Sequence, residues 1–242
     1  MSGCLQIDLG NSSAKWRLVQ GESVLARGKF NPAEASALEG IPETPQQVWI
    51  SSVASAGVEN ALAAMLMSRW NLEAWFARTT AQCADLVNSY SDPSRMGVDR
   101  WLAMLGARAH SKARLCVVDS GSATTIDIVG EDGIHEGGYI IPGAGLMEQA
   151  LLRDTDRVRF DEAAEYALDP GRSTAEAVRN GIALAQAGAV RMALEAAAEP
   201  EPQLFYCGGG GELLHGLVGR SGKLVPDLVF EGLAIMAAEC GS

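Results

Sequence analysis

Three aspartates and the small residues beside them are the groups best suited to chemistry in this chain. The first stands in Leu5-Gln6-Ile7-Asp8-Leu9-Gly10-Asn11-Ser12-Ser13-Ala14-Lys15-Trp16. An apolar run ends in an acid, a tight turn follows, and a second strand returns with a lysine. Gly10 and Asn11 tolerate the positive φ that hairpin turns commonly need. A carboxylate at that strand end suits a cation, while the turn amides with Ser12 or Ser13 suit an anionic oxygen. Lys15 supplies a point charge for phosphate.

The pattern returns half a chain later. Cys116-Val117-Val118-Asp119-Ser120-Gly121-Ser122-Ala123-Thr124-Thr125 repeats the apolar strand, the Asp-x-Gly and the small hydroxyls, and each copy is followed by a third strand-like run, 22–30 and 133–140. One Asp-x-Gly says little; two in matching contexts predict a duplicated strand–turn–strand–strand unit. Two ordinary hairpins in an α/β protein are the plain alternative. The third aspartate, Asp99, follows a polar segment punctuated by Pro93 and Gly97 and precedes a helix over 101–110. An acid near a helix start is electrostatically favourable, so Asp99 reads either as a cap or as a reactive carboxylate. Arg100 is less expected at that end unless it faces an anion.

The elements that must position these groups alternate. After the first three strands come a strand at 47–53, a helix at 58–69, a strand at 72–77 and a short helix within 79–87, an α/β pattern. In the second half the Gly-rich turn 137–145 leads to an apolar helix at 146–152, a turn suited either to ligand approach or to simple chain reversal. Residues 154–170 read as a loop with short helical pieces. Ser173-Thr174-Ala175-Glu176 is a capping box opening a helix to about 198, with Val178, Ile182, Ala185, Ala189 and Met192 as its apolar stripe. Gly181, Ala185 and Gly188 make part of that helix smooth enough for close approach, by a second subunit or within the chain. A strand at 203–207, the run Gly208–Gly211 and a helix follow, a nucleotide-contact geometry that is neither a dinucleotide fingerprint nor a Walker A loop. A helix over 229–240 closes the chain.

With 242 residues the chain can bury a substantial core, and its net charge of −11 argues against nucleic acid or an anionic membrane as partner. The five cysteines lack any CxxC and the three histidines lack zinc-type spacing, so reduced thiols are expected and a zinc site is not. No leader-like segment and no apolar run near membrane length is present, which sets the expectation of a cytoplasmic protein.

The ordered set Asp8-x-Gly10-Asn11-Ser12-x-x-Lys15-Trp16, Asn88-x-Tyr90-x-x-Pro93, Gly97-x-Asp99-Arg100, Asp119-x-Gly121-Ser122-Ala123-x-Thr125, Gly137-Gly138-x-Ile140-x-Pro142-Gly143 and the Gly run after Cys207 resembles the type III pantothenate kinases of the acetate and sugar kinase/Hsp70/actin superfamily. The resemblance spans nearly the whole chain. It implies an α/β fold of two duplicated actin-like (RNase H-like) halves, 1–111 and 112–242, each a mixed five-stranded sheet with helices, facing across a cleft. It also implies ATP-dependent phosphorylation of pantothenate to 4'-phosphopantothenate, the first step of coenzyme A biosynthesis, in a homodimer. By the resemblance, Asp8, Gly10, Asn11, Ser12 and Lys15 line the ATP phosphates, with Gly121, Ser122, Gly208 and Gly209 as further nucleotide contacts. Asp119 matches a monovalent-cation ligand (potassium or ammonium), Asp8 is a second residue suited to a cation, and magnesium is expected as the divalent cofactor. Tyr90, Gly97, Val98, Asp99, Arg100 and Thr174 line the pantothenate pocket, with Asp99 as proton acceptor. Two departures stand out: Ser122 where threonine is usual, and Cys207 where Thr-Gly-Gly would begin. The same family includes accessory factors for gene expression, and the same superfold includes phosphohydrolases. Retention of all three aspartates favours a kinase over the first, and the 90–100 segment, suited to an organic acid, favours it over the second.

Overall fold

The computed structural model describes residues 3–11, 13–32, 38, 40–197 and 199–240. The chain divides into two compact units, one made of residues up to Ala109 together with those from Leu228 onward, the other of His110–Asp227.

In the first unit, strands β1 (Gly3–Leu9), β2 (Ala14–Gln20), β3 (Ser23–Phe30), β4 (Gln47–Ser52) and β5 (Ala74–Phe76) form one mixed sheet in the order β3-β2-β1-β4-β5. β1 pairs antiparallel with β2 and parallel with β4. Its central position explains its composition: Leu5, Ile7 and Leu9 are fully buried, whereas β2 alternates buried and half-buried residues. Helix α1 (Ala56–Trp70) crosses over between β4 and β5 and packs Leu62 and Leu66 on that core. It ends at Asn71 in a left-handed conformation whose N–H caps the Met67 carbonyl at 2.9 Å.

Three features differ from expectation here. Residues 79–87 hold no helix. They form a hairpin of β6 (Gln82–Cys83) and β7 (Leu86–Val87), and Cys83 and Leu86, whose spacing imitates a helix face, are cross-strand partners. Helix α2 (Val98–His110) starts three residues earlier than expected, so Asp99 and Arg100 lie in its first turn. The final helix, α6 (Leu228–Cys240), belongs to the first unit and not to the second half of the chain. It packs on β1 and β4. The reason is a backbone-to-backbone crossing: a Cβ at Gly106 would strike the Leu228 carbonyl, and one at Gly232 the Leu102 carbonyl. Only glycines let α2 and α6 come so close.

The second unit repeats the plan. β8 (Leu115–Ser120), β9 (Ala123–Val129), β10 (His135–Pro142), β11 (Gln203–Cys207) and β12 (Lys223–Leu224) form a mixed sheet in the order β10-β9-β8-β11-β12. The duplicated five-stranded halves that the family resemblance implies are therefore present, strand for strand. Helices α3 (Ala144–Asp154), α4 (Thr174–Ala196) and α5 (Gly211–Val218) complete the unit. Residues 155–172 contain no helical pieces. The box at the start of α4 is half formed: Ser173 caps the Glu176 N–H at 3.2 Å, but Glu176 reaches the Arg172 N–H at 2.6 Å instead of that of Ser173. The buried face of α4 runs through Val178, Ile182, Gln186, Val190 and Ala193, while Ala185 and Met192 are exposed, so the predicted stripe was rotated toward solvent.

Candidate active site

Asp8 sits at the carboxyl end of the central strand of the first sheet. Its register partners are Lys15 on β2 and Ser51 on β4, and the Ser51 hydroxyl donates to Asp8 Oδ1 at 3.1 Å. Burial pushes the Asp8 carboxyl up to about 6, helped by the negative charge of Asp99, while Lys15 and Ser51 act in the opposite direction. Two carboxylates from different elements thus repel each other at the end of one sheet. In the turn that follows, the Gly10 N–H donates to the Ser13 carbonyl at 3.1 Å, so Gly10 closes the turn and does not offer its amide to a ligand. Asn11 is exposed on this turn, and Ser12 lies outside the described residues.

Asp99 is half-buried in the first turn of α2, where its Oδ1 accepts the Arg100 N–H at 2.8 Å. The carboxylate curls back over Gly97, where any Cβ would stand 2.6 Å from Asp99 Oδ1. Arg100 is 4% exposed, and its Nη1 donates to the Tyr90 hydroxyl at 3.0 Å. Tyr90 is itself held by an Asx-type contact, its N–H bonding Asn88 Oδ1 at 2.9 Å. Val98 is buried in the core. The structure brings Asp8, Lys15 and Asp99 into one electrostatic neighbourhood, and Arg100 and Tyr90 into direct contact.

The second unit builds a matching turn. Asp119 ends β8 beside Cys207 of the parallel strand β11, the register that Ser51 occupies beside Asp8. Gly208 adopts φ +81°, and a side chain there would collide with Asp119 Oδ1 and the Ser120 backbone. The glycine run after β11 therefore lies directly against the Asp119 turn. Gly209 has open space around its Cα, and Ser122 is exposed. The Gly121 N–H, like that of Gly10, is used inside its own turn, donating to the Ala123 carbonyl at 2.9 Å. Gly143 N–H holds the Ser122 carbonyl at 2.9 Å, and Gly210 N–H holds that of Ser120 at 2.9 Å. Thr174 is exposed at the start of α4, on the rim of an apolar groove of about 1090 Å³ between α3 and α4.

Sequence reasoning did not single out Ser51, which orients Asp8; the identity of β4 as the parallel neighbour of β1 was the missing signal. Among the described residues no group of three or more His, Cys, Asp and Glu side chains is placed to hold a metal by itself. The donor set instead fits a divalent ion shared with a ligand: magnesium is commonly held by one or two carboxylates plus phosphate oxygens, and Asp8, with its Oδ1 held by Ser51, supplies one such carboxylate. The four described thiols are unsuited to nucleophilic work. Cys4, Cys83, Cys116 and Cys207 are buried and form no disulfide, and burial pushes Cys4 and Cys116 up to about 12.

Known proteins agree with this picture. The family model for type III pantothenate kinase matches residues 4–196. A Pseudomonas aeruginosa type III pantothenate kinase is 37% identical over 244 residues, covering 96% of this chain and 97% of that protein. Among solved structures, a Baf family protein from Campylobacter jejuni superposes with a TM-score of 0.61 at 23% identity, covering 97% of this chain and 98% of the other. MreB 5 of Spiroplasma citri, solved with AMPPNP, gives a TM-score of 0.54 at 12% identity, covering 98% of this chain and 96% of the other. These two establish the actin-like fold and nothing finer. The match of motif order, duplicated sheets and near-full-length sequence identity leads to one conclusion: this chain belongs to the type III pantothenate kinase family.

Proposed function

We propose that the protein transfers the γ-phosphoryl group of ATP to the primary alcohol of pantothenate, giving 4'-phosphopantothenate and ADP for coenzyme A synthesis. The observation that carries the reading is the Asp8–Asp99 carboxylate pair beside the buried Arg100–Tyr90 contact, in a chain of this family. Phosphoryl transfer asks the protein chiefly for positioning and charge. Magnesium, when bound, would be held at Asp8 and would neutralise phosphate charge there. Lys15, opposite Asp8, presents an ammonium to the phosphates. Asp99 accepts the proton of the attacking hydroxyl. Arg100, oriented by Tyr90, supplies the positive charge that the pantothenate carboxylate requires. In the second unit, Asp119 is assigned a potassium or ammonium ion, and Ser122, Gly208 and Gly209 the nucleotide. The contact of Gly208 with Asp119 supports that grouping.

The groove between α3 and α4 supports a homodimer. It exposes Leu146, Leu151, Gly181 and Ala185 in one strip, with Thr174 at its rim. A second copy is the occupant we assign to it, with Thr174 assigned a pantothenate contact. No described helix is long and apolar enough to cross a membrane, and the absence of disulfides among the described cysteines suits work in the cytoplasm.

The deciding experiment offers the protein ATP, magnesium and potassium with pantothenate and a panel of other alcohols and acids. Phosphopantothenate formed in step with ADP supports the proposal. ADP and inorganic phosphate without a phosphorylated acceptor would mean a phosphohydrolase. No nucleotide turnover would mean an accessory protein.

A further inference from the structure

Gln186 is the one polar residue on the buried face of α4 and is 4% exposed. Its Nε2 donates to the Pro142 carbonyl at 2.7 Å, which fixes the orientation of the amide. Its Oε1 then has no partner among the described protein groups. A long polar side chain in an apolar stripe, half of it unpaired, is costly in a well-packed core, so a specific task is implied.

The neighbours indicate the task. Pro142 is followed by Gly143, whose N–H holds the Ser122 carbonyl at 2.9 Å, so the grip on Pro142 is passed to the second aspartate turn. Gln186 also lines a partly open cavity of about 40 Å³, together with Ser120, Gly210 and Tyr166. Tyr166 is tied down there through Glu148, which accepts its hydroxyl at 3.1 Å and is paired with Arg179 at 3.1 Å. The cavity has room for a water with two or more polar neighbours.

We propose that Gln186 is a positioning residue for the Ser120–Ser122 turn, its Nε2 holding Pro142 and its Oε1 reaching Ser120 through one buried water. This rests on the assignment of that turn to the nucleotide. Without Gln186, the Gly143 N–H and the Ser120 end of the turn lose their common support, and the nucleotide meets a turn that must be ordered on binding. Tyr90, Asp99 and Arg100 belong to the first unit and take no support from the Gln186–Pro142 contact.

The test compares the whole protein with Gln186→Met, a change that keeps length and volume. Binding of a non-hydrolysable ATP analogue is measured by calorimetry in magnesium and potassium, alongside the melting temperature and both KM values. The expected result is nucleotide affinity weakened by about tenfold, the effect of losing a buried hydrogen bond, with the KM for pantothenate unchanged. A lowered melting temperature with unchanged nucleotide affinity would make Gln186 a packing residue and overturn the proposal. Failure of the unaltered protein to bind the analogue would instead remove the nucleotide assignment itself. A crystal structure of the unaltered protein gives a check independent of any variant. An ordered water joining Gln186 Oε1 to Ser120 supports the inference, and a Gln186 Oε1 bonded to a protein donor overturns it.

Discussion

Replacing Asp8 by asparagine should stabilise the protein while disabling it. The carboxyl of Asp8 is raised from its ordinary 3.8 to about 6 by burial and by Asp99. Such a group binds its proton more tightly in the folded state than in the unfolded one. Its contribution is therefore favourable at low pH and is lost as pH rises through the window from 3.8 to about 6. At about 1.4 kcal/mol per pH unit, the charged form costs the folded protein about 3 kcal/mol at pH 7 and about half of that at pH 5. Asparagine carries no charge, still accepts the Ser51 hydroxyl, and escapes this cost. For a chain of this size the gain corresponds to roughly 6–12 °C in melting temperature at pH 7. Thermal unfolding of both proteins at pH 7 and pH 5, with and without magnesium, provides the assay. The gain should shrink at pH 5, and magnesium at pH 7 should raise the melting temperature of the wild type and not of Asp8→Asn, which should also lose phosphotransfer. An Asp8→Asn protein no more stable than wild type at pH 7, or a gain independent of pH, would refute the reasoning.

Three further outcomes are expected. Tyr90→Phe removes the hydroxyl that orients Arg100, so the KM for pantothenate should rise by about tenfold with nucleotide affinity intact; steady-state kinetics in each substrate will show whether it does. Activity should increase when potassium or ammonium replaces sodium, because Asp119 is assigned a monovalent cation; equal rates in the three salts would count against that assignment. Light scattering should report about twice the chain mass of 25.5 kDa, and Leu146→Glu in the α3–α4 groove should shift the protein toward monomer.

Much of this architecture was legible because it is written twice. Each half begins with an apolar run ending in Asp-x-Gly, and a central strand flanked on both sides must be apolar along its length, so Leu5–Leu9 and Cys116–Val118 announce the two sheet centres. What escaped detection depends on contacts between distant residues. Gly106 and Gly232 mean little alone, and only their shared crossing assigns α6 to the first unit. Cys83 and Leu86 have helical spacing but meet across a two-residue turn. Gln186 was passed over because a polar residue breaks an apolar stripe, and that break is where its use lies. At the site, the residue types of Asp8, Asp99 and Asp119 were readable. The placement of Asp99 in a helical turn beside Asp8 was not, since Gly97 and Pro93 made the segment look like loop.

That placement makes Asp99 the most direct point of attack on the account. Its Oδ1 accepts the Arg100 N–H at 2.8 Å, so it could serve as a helix cap alone, with the chemistry elsewhere. The two roles separate when kcat, nucleotide affinity and melting temperature are measured on one preparation of Asp99→Asn. As proton acceptor, its loss should lower kcat by ~10²–10⁴-fold with ATP binding retained. Near-normal kcat with stability reduced by ~1 kcal/mol would make Asp99 a cap and contradict the mechanism.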